Sequence, residues 1–431
     1  AVMANSAITV IEYTLTFLVS ISALVTFLFD RLPSLDISLG FTDSRVLIAV
    51  GFSVLVAIAV NRGPSISSKV FGPATAAILL FLWLMVGAVI WQRGFSLPGF
   101  DVEAFSPDYL GFTLGGFARI LALMTGIEIF ANLVASYEGN AAKRGRLAFG
   151  SLVMVMGTTV TTMVIVGPAI LALADPTDQS KSVFTQTMDA ILPSWLSYTG
   201  TLIGIAVLLS AAAASAQGLQ NLCLGLRARH YIPAKWGQRN RFDVPSIPSW
   251  IMAFVVIVSF FLWGTHEETY LALYAAGVFI LLSMTGWAAF KRFFRQFSSN
   301  RKAVNAFGVA VTFFSATCGS FATGVIFYER FLEGAWAYLV MVPALYIGFS
   351  YFRRRLGAPP EAIDSRLSSV INGRVIGPSK ANADTAYKIR KILVPMGGKV
   401  SSDIAFYSAI RIGAKFGAGV VPAHVIDSER Q

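Results

Sequence analysis

The sequence has little charge, few cysteines and few histidines. Only 13% of its 431 residues are charged, whereas 55% are hydrophobic, and the mean hydropathy is +0.66. A typical soluble domain carries about twice that share of charged residues. The composition therefore excludes an ordinary soluble protein and indicates a membrane protein.

Residues for metal binding or covalent catalysis are also scarce. Cys223 and Cys318 fall in apolar segments and are interpreted as packing thiols, and the three histidines are scattered. The chain lacks a phosphate-binding loop of the G-x-x-x-x-G-K type, which argues against an ATP-driven pump. It also shows no recognisable nucleophile–base pair or metal-ligand cluster. We therefore predict that it is not an enzyme and needs no cofactor.

Long apolar runs recur along the chain, and each is long enough to cross about 30 Å of hydrocarbon. Because backbone polar groups in lipid must bond within the protein, these runs are predicted to be helices joined in hairpins. We predict an all-α polytopic membrane protein with ten spans, at approximately residues 5–29, 45–61, 69–92, 112–136, 147–174, 196–226, 249–264, 268–290, 303–328 and 334–352.

Lys and Arg are unevenly divided between alternate connections. One set of connections holds clusters at 227–241, 291–302 and 353–355. The opposite set holds isolated residues, namely Arg31, Arg45, Arg93, Lys181 and Arg330. An excess of these residues marks the cytoplasmic side. Residue 1 and the C-terminal tail are therefore predicted to lie in the cytoplasm of a cell-membrane protein. The net charge of +11 then requires no nucleic-acid partner.

The composition changes abruptly after residues 1–355, which hold all ten predicted spans. Residues 356–387 are rich in Pro, Ser, Asn and charge and are predicted to be a cytoplasmic linker. Residues 388–431 begin with the strand pattern ILVP, continue with helical spacing over 402–416 and end with a strand pattern at 420–426. This order predicts a β-α-β unit, which is too small for a core without more chain or a partner.

The first span, which contains VIEYTLTFLVS, carries a carboxylate and several hydroxyls. Thr9, Glu12, Thr16 and Ser20 are spaced by three or four residues and share one helical face, with Tyr13 beside them. An ionisable residue in a span costs about 2.5–3.5 kcal/mol on insertion scales and by default marks a solute path or site. The alternative for the hydroxyls is bonding to their own helix or contact between helices.

The fourth span is interrupted near its middle by Thr125 and Gly126, followed by Glu128. A helix broken at glycine exposes backbone groups that can coordinate an ion or a solute. The alternative is close helix packing at the glycine, with the carboxylate bonded to a neighbouring helix. Arg119 lies toward the outside of the same span, and Tyr274 in the eighth span offers a phenolic oxygen, although a lone tyrosine there is often structural.

Several of these motifs resemble the amino acid–polyamine–cation (APC) superfamily of permeases, in particular its Kim-type potassium importers. EYTLTFLVSI resembles the third helix of that family, TGIE its unwound sixth helix, LYAAGVF its tenth and NRGPSISSKVFGPAT its fourth-to-fifth junction. The tail ILVPMGG resembles the start of a universal-stress-protein domain. The resemblance implies two inverted five-helix repeats, with the ten spans as helices three to twelve and the first two absent.

The resemblance also implies roles for individual residues. Glu12 stands where the family motif has Asp and would hold the coupling proton or balance the charge of the ion. The site would bind a monovalent cation and no other metal. Oxygen atoms for potassium would come from Tyr13, Thr16, Ser20, Thr125 and Tyr274.

Together these features predict a secondary active transporter that couples uptake of a small solute, with potassium as first candidate, to protons. An amino acid is the alternative solute, because Arg119 would repel a cation and attract a carboxylate. A more distant alternative is a non-transporting membrane sensor whose tail reports on a nucleotide. The resemblance further implies a homodimer formed through the tails. The nucleotide motif of such tails would lie beyond Gln431, so a cytoplasmic nucleotide regulator is an untested expectation.

Overall fold

The chain divides into two compact units, Ala1–Pro359 and Pro360–Gln431. The computed structural model describes residues 2–37, 40, 42–99, 101–123, 141–175, 181–299, 303–357, 391–396, 405–412 and 419–424. All statements below concern these residues.

The first unit consists of helices and the connections between them, some of which contain a 3₁₀ turn. Its described helices are α1 (Val2–Arg31), α2 (Ser44–Val60), α3 (Pro64–Arg93), α4 (Leu110–Leu123), α5 (Ala141–Leu173), α6 (Val183–Ile191), α7 (Ser194–Ala228), α8 (Ser246–Trp263), α9 (Glu267–Ser299), α10 (Ala303–Arg330) and α11 (Tyr338–Leu356). Short 3₁₀ turns occur in the connections at Pro33–Leu35, Glu103–Phe105, Ala234–Gly237 and Ala335–Ala337.

Eight of the described helices are long and apolar enough to cross a membrane. Their spans are Met3–Arg31, Pro73–Arg93, Gly145–Ile170, Ser194–Ala228, Ser246–Trp263, Leu273–Ser299, Asn305–Arg330 and Ala335–Leu356. Helix α2 is apolar but shorter, and the fourth predicted span continues past Leu123 into residues outside the description. The first unit is thus the all-α part of a multi-pass membrane protein, as predicted. The count of ten spans and the inverted-repeat fold stay predictions.

Helix α1 lies at the centre of the first unit. In the most apolar 18-residue segment of α1, 72% is buried inside the protein, whereas in the corresponding segment of α5 only 11% is buried. It contacts α2, α7, α8, α9 and α11. A polar side chain on α1 is therefore enclosed by protein, whereas a side chain on α5 mostly faces the surroundings.

Helices α9 and α10 cross very closely because small residues line their contact. A Cβ added at Gly286 would lie 2.9 Å from the Cα of Ala316, and the hydroxyls of Ser283 and Ser320 are 2.8 Å apart. Small side chains let helix backbones approach, and hydroxyls then bond across the contact. This close pairing fixes the position of α9, the helix that faces α1.

The two cysteines are free thiols. Cys223 is buried in α7, as expected for a packing thiol, but Cys318 is exposed on α10. The interpretation of Cys318 as a packing thiol was therefore wrong. An apolar sequence does not by itself place a residue in the interior, because a lipid-facing helix surface is equally apolar.

The second unit contains a parallel pair of strands. Strand β1 (Lys391–Met396) pairs with β2 (Gly419–His424) in a register that sets Lys391 opposite Gly419 and Met396 opposite His424. Residues 405–412 between them are helical. Parallel strands need such a crossover. The relation of this unit to universal-stress-protein domains stays a prediction.

Candidate functional site

Glu12 is buried in the interior of the first unit. Only 1% of the residue is exposed, so its carboxylate faces other helices and not the lipid. A carboxylate removed from water needs hydrogen-bond partners or a counter-charge, because an uncompensated buried charge is costly. The surroundings of this one side chain therefore form the candidate functional site.

Two other helices meet Glu12. The hydroxyl of Tyr338, the first residue of α11, donates a hydrogen bond to Glu12 Oε1. A Cβ added at Gly277 of α9 would overlap both this carboxylate oxygen and the Tyr338 hydroxyl. Only glycine leaves room for both groups at this point. We refer to Glu12, Gly277 and Tyr338 as the Glu12 junction.

Tyr13 points toward a different helix from its neighbour Glu12. Its ring lies against Gly218 of α7, where an added Cβ would stand 2.9 Å from the phenolic oxygen and closer still to the ring carbons. Tyr13 is 3% exposed. Successive residues of a helix point about 100° apart, so α1 presents its carboxylate to α9 and α11 and its phenol to α7.

The hydroxyls of α1 bond partly within their own helix. Thr16 Oγ1 donates to the Glu12 carbonyl oxygen at 2.8 Å, and Thr9 Oγ1 donates to the Asn5 carbonyl oxygen at 2.8 Å. These bonds agree with the alternative interpretation of the two threonines, in which each hydroxyl bonds to the backbone of its own helix. Thr16 and Ser20 are both buried, and a hydroxyl that donates to the backbone still offers its lone pairs to another donor or a cation.

Tyr274 lies close to the Glu12 junction along α9. It is three residues before Gly277, which places the two on one side of the helix. Tyr274 is 5% exposed, and the apolar cluster that buries it also contains Ile8 and Ile11 of α1 and Tyr338 of α11. The predicted eighth-span tyrosine and the predicted first-span carboxylate are thus brought into one region.

The remaining predicted site residues are not described. Thr125, Gly126 and Glu128 lie outside the described residues, and so does the side chain of Arg119, whose backbone belongs to α4. Their part in the site stays a prediction.

A second polar group surrounds the C-terminal end of α1. The guanidinium of Arg31 donates to Asp189 Oδ1 at 2.8 Å, to Ser197 Oγ at 2.6 Å and to Thr201 Oγ1 at 2.9 Å. Lys181 Nζ lies 3.4 Å from the other oxygen of Asp189. Burial raises the pKa of Asp189, but the Ser197 hydroxyl and the two cations outweigh it and hold that pKa below its ordinary value of 3.8.

Asp30, which precedes Arg31, caps the short helix α6. Its carboxylate accepts hydrogen bonds from the Ser182 backbone N–H at 3.1 Å and from Thr185 Oγ1 at 2.6 Å. A carboxylate at a helix N-terminus also interacts favourably with the helix dipole. Two adjacent residues of α1 therefore fasten this end of the central helix to α6 and to the start of α7.

At the other end of the helices a third polar group joins α2, α7 and α8. The side-chain oxygen of Asn61 accepts from Gln220 Nε2 at 3.0 Å and from Ser249 Oγ at 2.8 Å. Asn240 donates to the Asn61 carbonyl oxygen at 2.9 Å. Every bond is between neutral groups, which is typical of helix-joining contacts and not of a charge-binding site.

A groove of about 460 Å³ runs between α9 and α10. The described residues that line it are apolar or small, with hydroxyls from Thr285, Thr312 and Ser315, and none of them is charged. Glu12 is not among its lining residues. The groove offers hydroxyls, but its described lining contains no carboxylate that could take up a proton.

No family model and no curated protein matches the chain.

The Glu12 junction has a defined chemical capacity. A carboxylate can take up a proton or pair with a cation, and a phenol can donate to it or accept from another donor. In a membrane interior such a group marks a proton or ion path by default. The arrangement can therefore exchange a proton or a small cation at Glu12.

Sequence reasoning missed the two partners of Glu12. Tyr338 stands at the beginning of the last span, where a tyrosine is ordinarily an interfacial anchor. Gly277 was visible only as part of the motif LYAAGVF. The sequence indicates only that a carboxylate in a span needs a hydrogen-bond donor. It does not indicate which helix supplies that donor.

Proposed function

We propose that the chain is a secondary active transporter of the APC type, which couples uptake of a small solute to protons through Glu12. Potassium is the solute that the site chemistry favours. Such transporters bind solute where several helices meet and alternate their access between the two sides.

The observation that carries this proposal is the burial of Glu12 between α1, α9 and α11. The cost of an ionisable group in a membrane helix argues against a purely structural role. The hydrogen bond from Tyr338 and the exclusion of any side chain at position 277 support a built environment for this carboxylate. Tyr13, Thr16 and Tyr274 are also buried and offer further oxygen atoms, with Tyr13 against α7 and Tyr274 in the apolar cluster that contains Tyr338. Oxygen ligands suit a hard monovalent cation.

An amino acid is the second candidate, because of Arg119. A guanidinium in α4 would repel potassium, whereas it would bind the carboxylate of an amino acid in a planar, bidentate manner. The substitution Arg119→Ala therefore separates the candidates. It should abolish uptake of an amino acid, and it should leave uptake of potassium in place.

The test is uptake into proteoliposomes that contain the purified chain and carry an imposed proton gradient. Radioactive rubidium serves as the potassium analogue, and a set of radiolabelled amino acids is tested in parallel. We expect rubidium uptake that a protonophore abolishes. Uptake of an amino acid in place of rubidium would support the second candidate. No gradient-driven uptake of any of these solutes would contradict the transporter proposal.

A further inference from the structure

Tyr338 is buried although large apolar residues shortly before it are exposed. Leu332 is 92% exposed and Trp336 is 50% exposed, whereas Tyr338 is only 2% exposed. Tyrosines at the ends of spans usually place their rings at the membrane surface. This one is turned into the protein instead, where its hydroxyl reaches Glu12.

The backbone of α9 is shaped to allow that contact. At Gly277 a side chain of any size would occupy the space of the Tyr338 hydroxyl and of Glu12 Oε1. The neighbouring residues Ala276 and Val278 are fully buried, so protein encloses this part of α9. The phenol and the carboxylate are therefore confined to one narrow space between three helices.

The other end of α11 is fastened to the connection between α7 and α8. Arg353 donates to the Arg229 carbonyl oxygen at 3.0 Å, and the ring of Phe349 stacks on Tyr231 with centroids 6.4 Å apart. The His230 ring nitrogen Nδ1 lies 3.2 Å from the Gly357 carbonyl oxygen. One continuous helix thus links Glu12 to this connection.

We propose that Tyr338 is a positioning residue for Glu12. Its hydroxyl holds the carboxylate at the Glu12 junction, so that the orientation of the carboxylate depends on the position of α11. A proton or cation that arrives at Glu12 competes with this hydrogen bond or shares it, and α11 thereby responds to the occupancy of the site. This inference rests on the proposed function, because it gives Glu12 the coupling role.

Difference infrared spectroscopy tests the hydrogen bond itself. A change of pH applied to the reconstituted protein produces the carboxyl band of Glu12, which is identified as the band missing from Glu12→Gln. In Tyr338→Phe, which keeps the ring and loses only the hydroxyl, that band should shift to the frequency of a less strongly bonded carboxyl. Tyr346→Phe is the matched control, since Tyr346 lies on the same helix and is 44% exposed. An unshifted Glu12 band in Tyr338→Phe would overturn the inference.

Uptake measurements test the consequence. We expect Tyr338→Phe to lower the maximal uptake rate by about tenfold or more, which is the size of effect expected from one lost hydrogen bond to a carboxylate. Tyr346→Phe should retain the rate of the unmodified chain. If Glu12→Gln stops uptake while Tyr338→Phe is unchanged in rate and in spectrum, the inference fails and the transporter proposal stands. If no solute is taken up but the band shifts, the hydrogen bond stands and the coupling role fails.

Discussion

The substitution Gly277→Ala should disrupt the Glu12 junction more than its size suggests. It adds a single methyl group to α9. That methyl overlaps Glu12 Oε1 and the hydroxyl of Tyr338, which are already hydrogen-bonded to each other. Either these two groups separate or α9 moves away from α1.

The magnitude follows from the two costs involved. Non-bonded heavy atoms prefer separations of about 3.5–4.0 Å, so the methyl must displace its neighbours by more than an ångström. Overpacking of this kind costs about 1–3 kcal/mol. Breaking a hydrogen bond to a charged group costs about 1.5–3 kcal/mol. A combined cost of about 3 kcal/mol would reduce the population of the intact junction by about 10²-fold, since each 1.4 kcal/mol is tenfold.

The assay is the initial rate of gradient-driven uptake per amount of reconstituted protein, together with the thermal unfolding midpoint in detergent. Gly324→Ala on α10 is the matched control, because an added Cβ there has no neighbour within 4 Å. We expect uptake by Gly277→Ala to fall by about 10²-fold, the factor derived above, and the control to keep its rate. Equal rates and equal midpoints for the two variants would refute the close contact of Glu12, Gly277 and Tyr338.

Two further substitutions test the surroundings of α1. Asp189→Asn should lower the free energy of unfolding by about 1–3 kcal/mol through the lost charge-assisted bond to Arg31, whereas Asp243→Asn, in an exposed pair, should change it by less than about 1 kcal/mol. Because the pKa of Asp189 is lowered in the folded state, the contribution of its carboxylate to the free energy of unfolding should be constant above pH 3.8 and disappear as the pH falls through the folded-state pKa. Denaturant unfolding at several pH values measures this contribution. An equal loss of unfolding free energy in Asp189→Asn and Asp243→Asn would contradict the prediction. Gly218→Ala should push the ring of Tyr13 out of its place against α7. Unchanged uptake and an unchanged unfolding midpoint in this variant would show that neither transport nor stability depends on the position of the ring.

Much of the helical architecture was predictable because it follows from the length of the apolar runs. Each predicted span other than the fourth coincides with a described helix, although the helix Glu267–Ser299 continues nine residues past the predicted end at 290 and Ala141–Leu173 begins six residues before the predicted start at 147. The backbone has no alternative in lipid, so a long apolar run must be a helix. The strand–helix–strand order of the tail was similarly readable, since ILVP and the pattern near residue 420 are short and bounded by turn residues.

The candidate site was only half predictable. Glu12 stood out because a carboxylate is costly in a span, and its burial agrees with that reasoning. Its partner Tyr338 is more than three hundred positions away in the chain, and no periodicity within one helix predicts a contact between two. Arg31 was read only as a marker of sidedness, although its guanidinium joins α1, α6 and α7.

In the proposed mechanism, the buried carboxylate of α1 couples solute movement to protons. The most direct measurement follows rubidium uptake and internal pH at the same time in proteoliposomes, for the unmodified chain, Glu12→Gln and the control Glu103→Gln, which alters an exposed carboxylate. The unmodified chain and the control should move rubidium and protons together, and Glu12→Gln should lose the proton movement because its amide cannot carry the proton. Coupled movement of both ions by Glu12→Gln at the unmodified rate would contradict the claim.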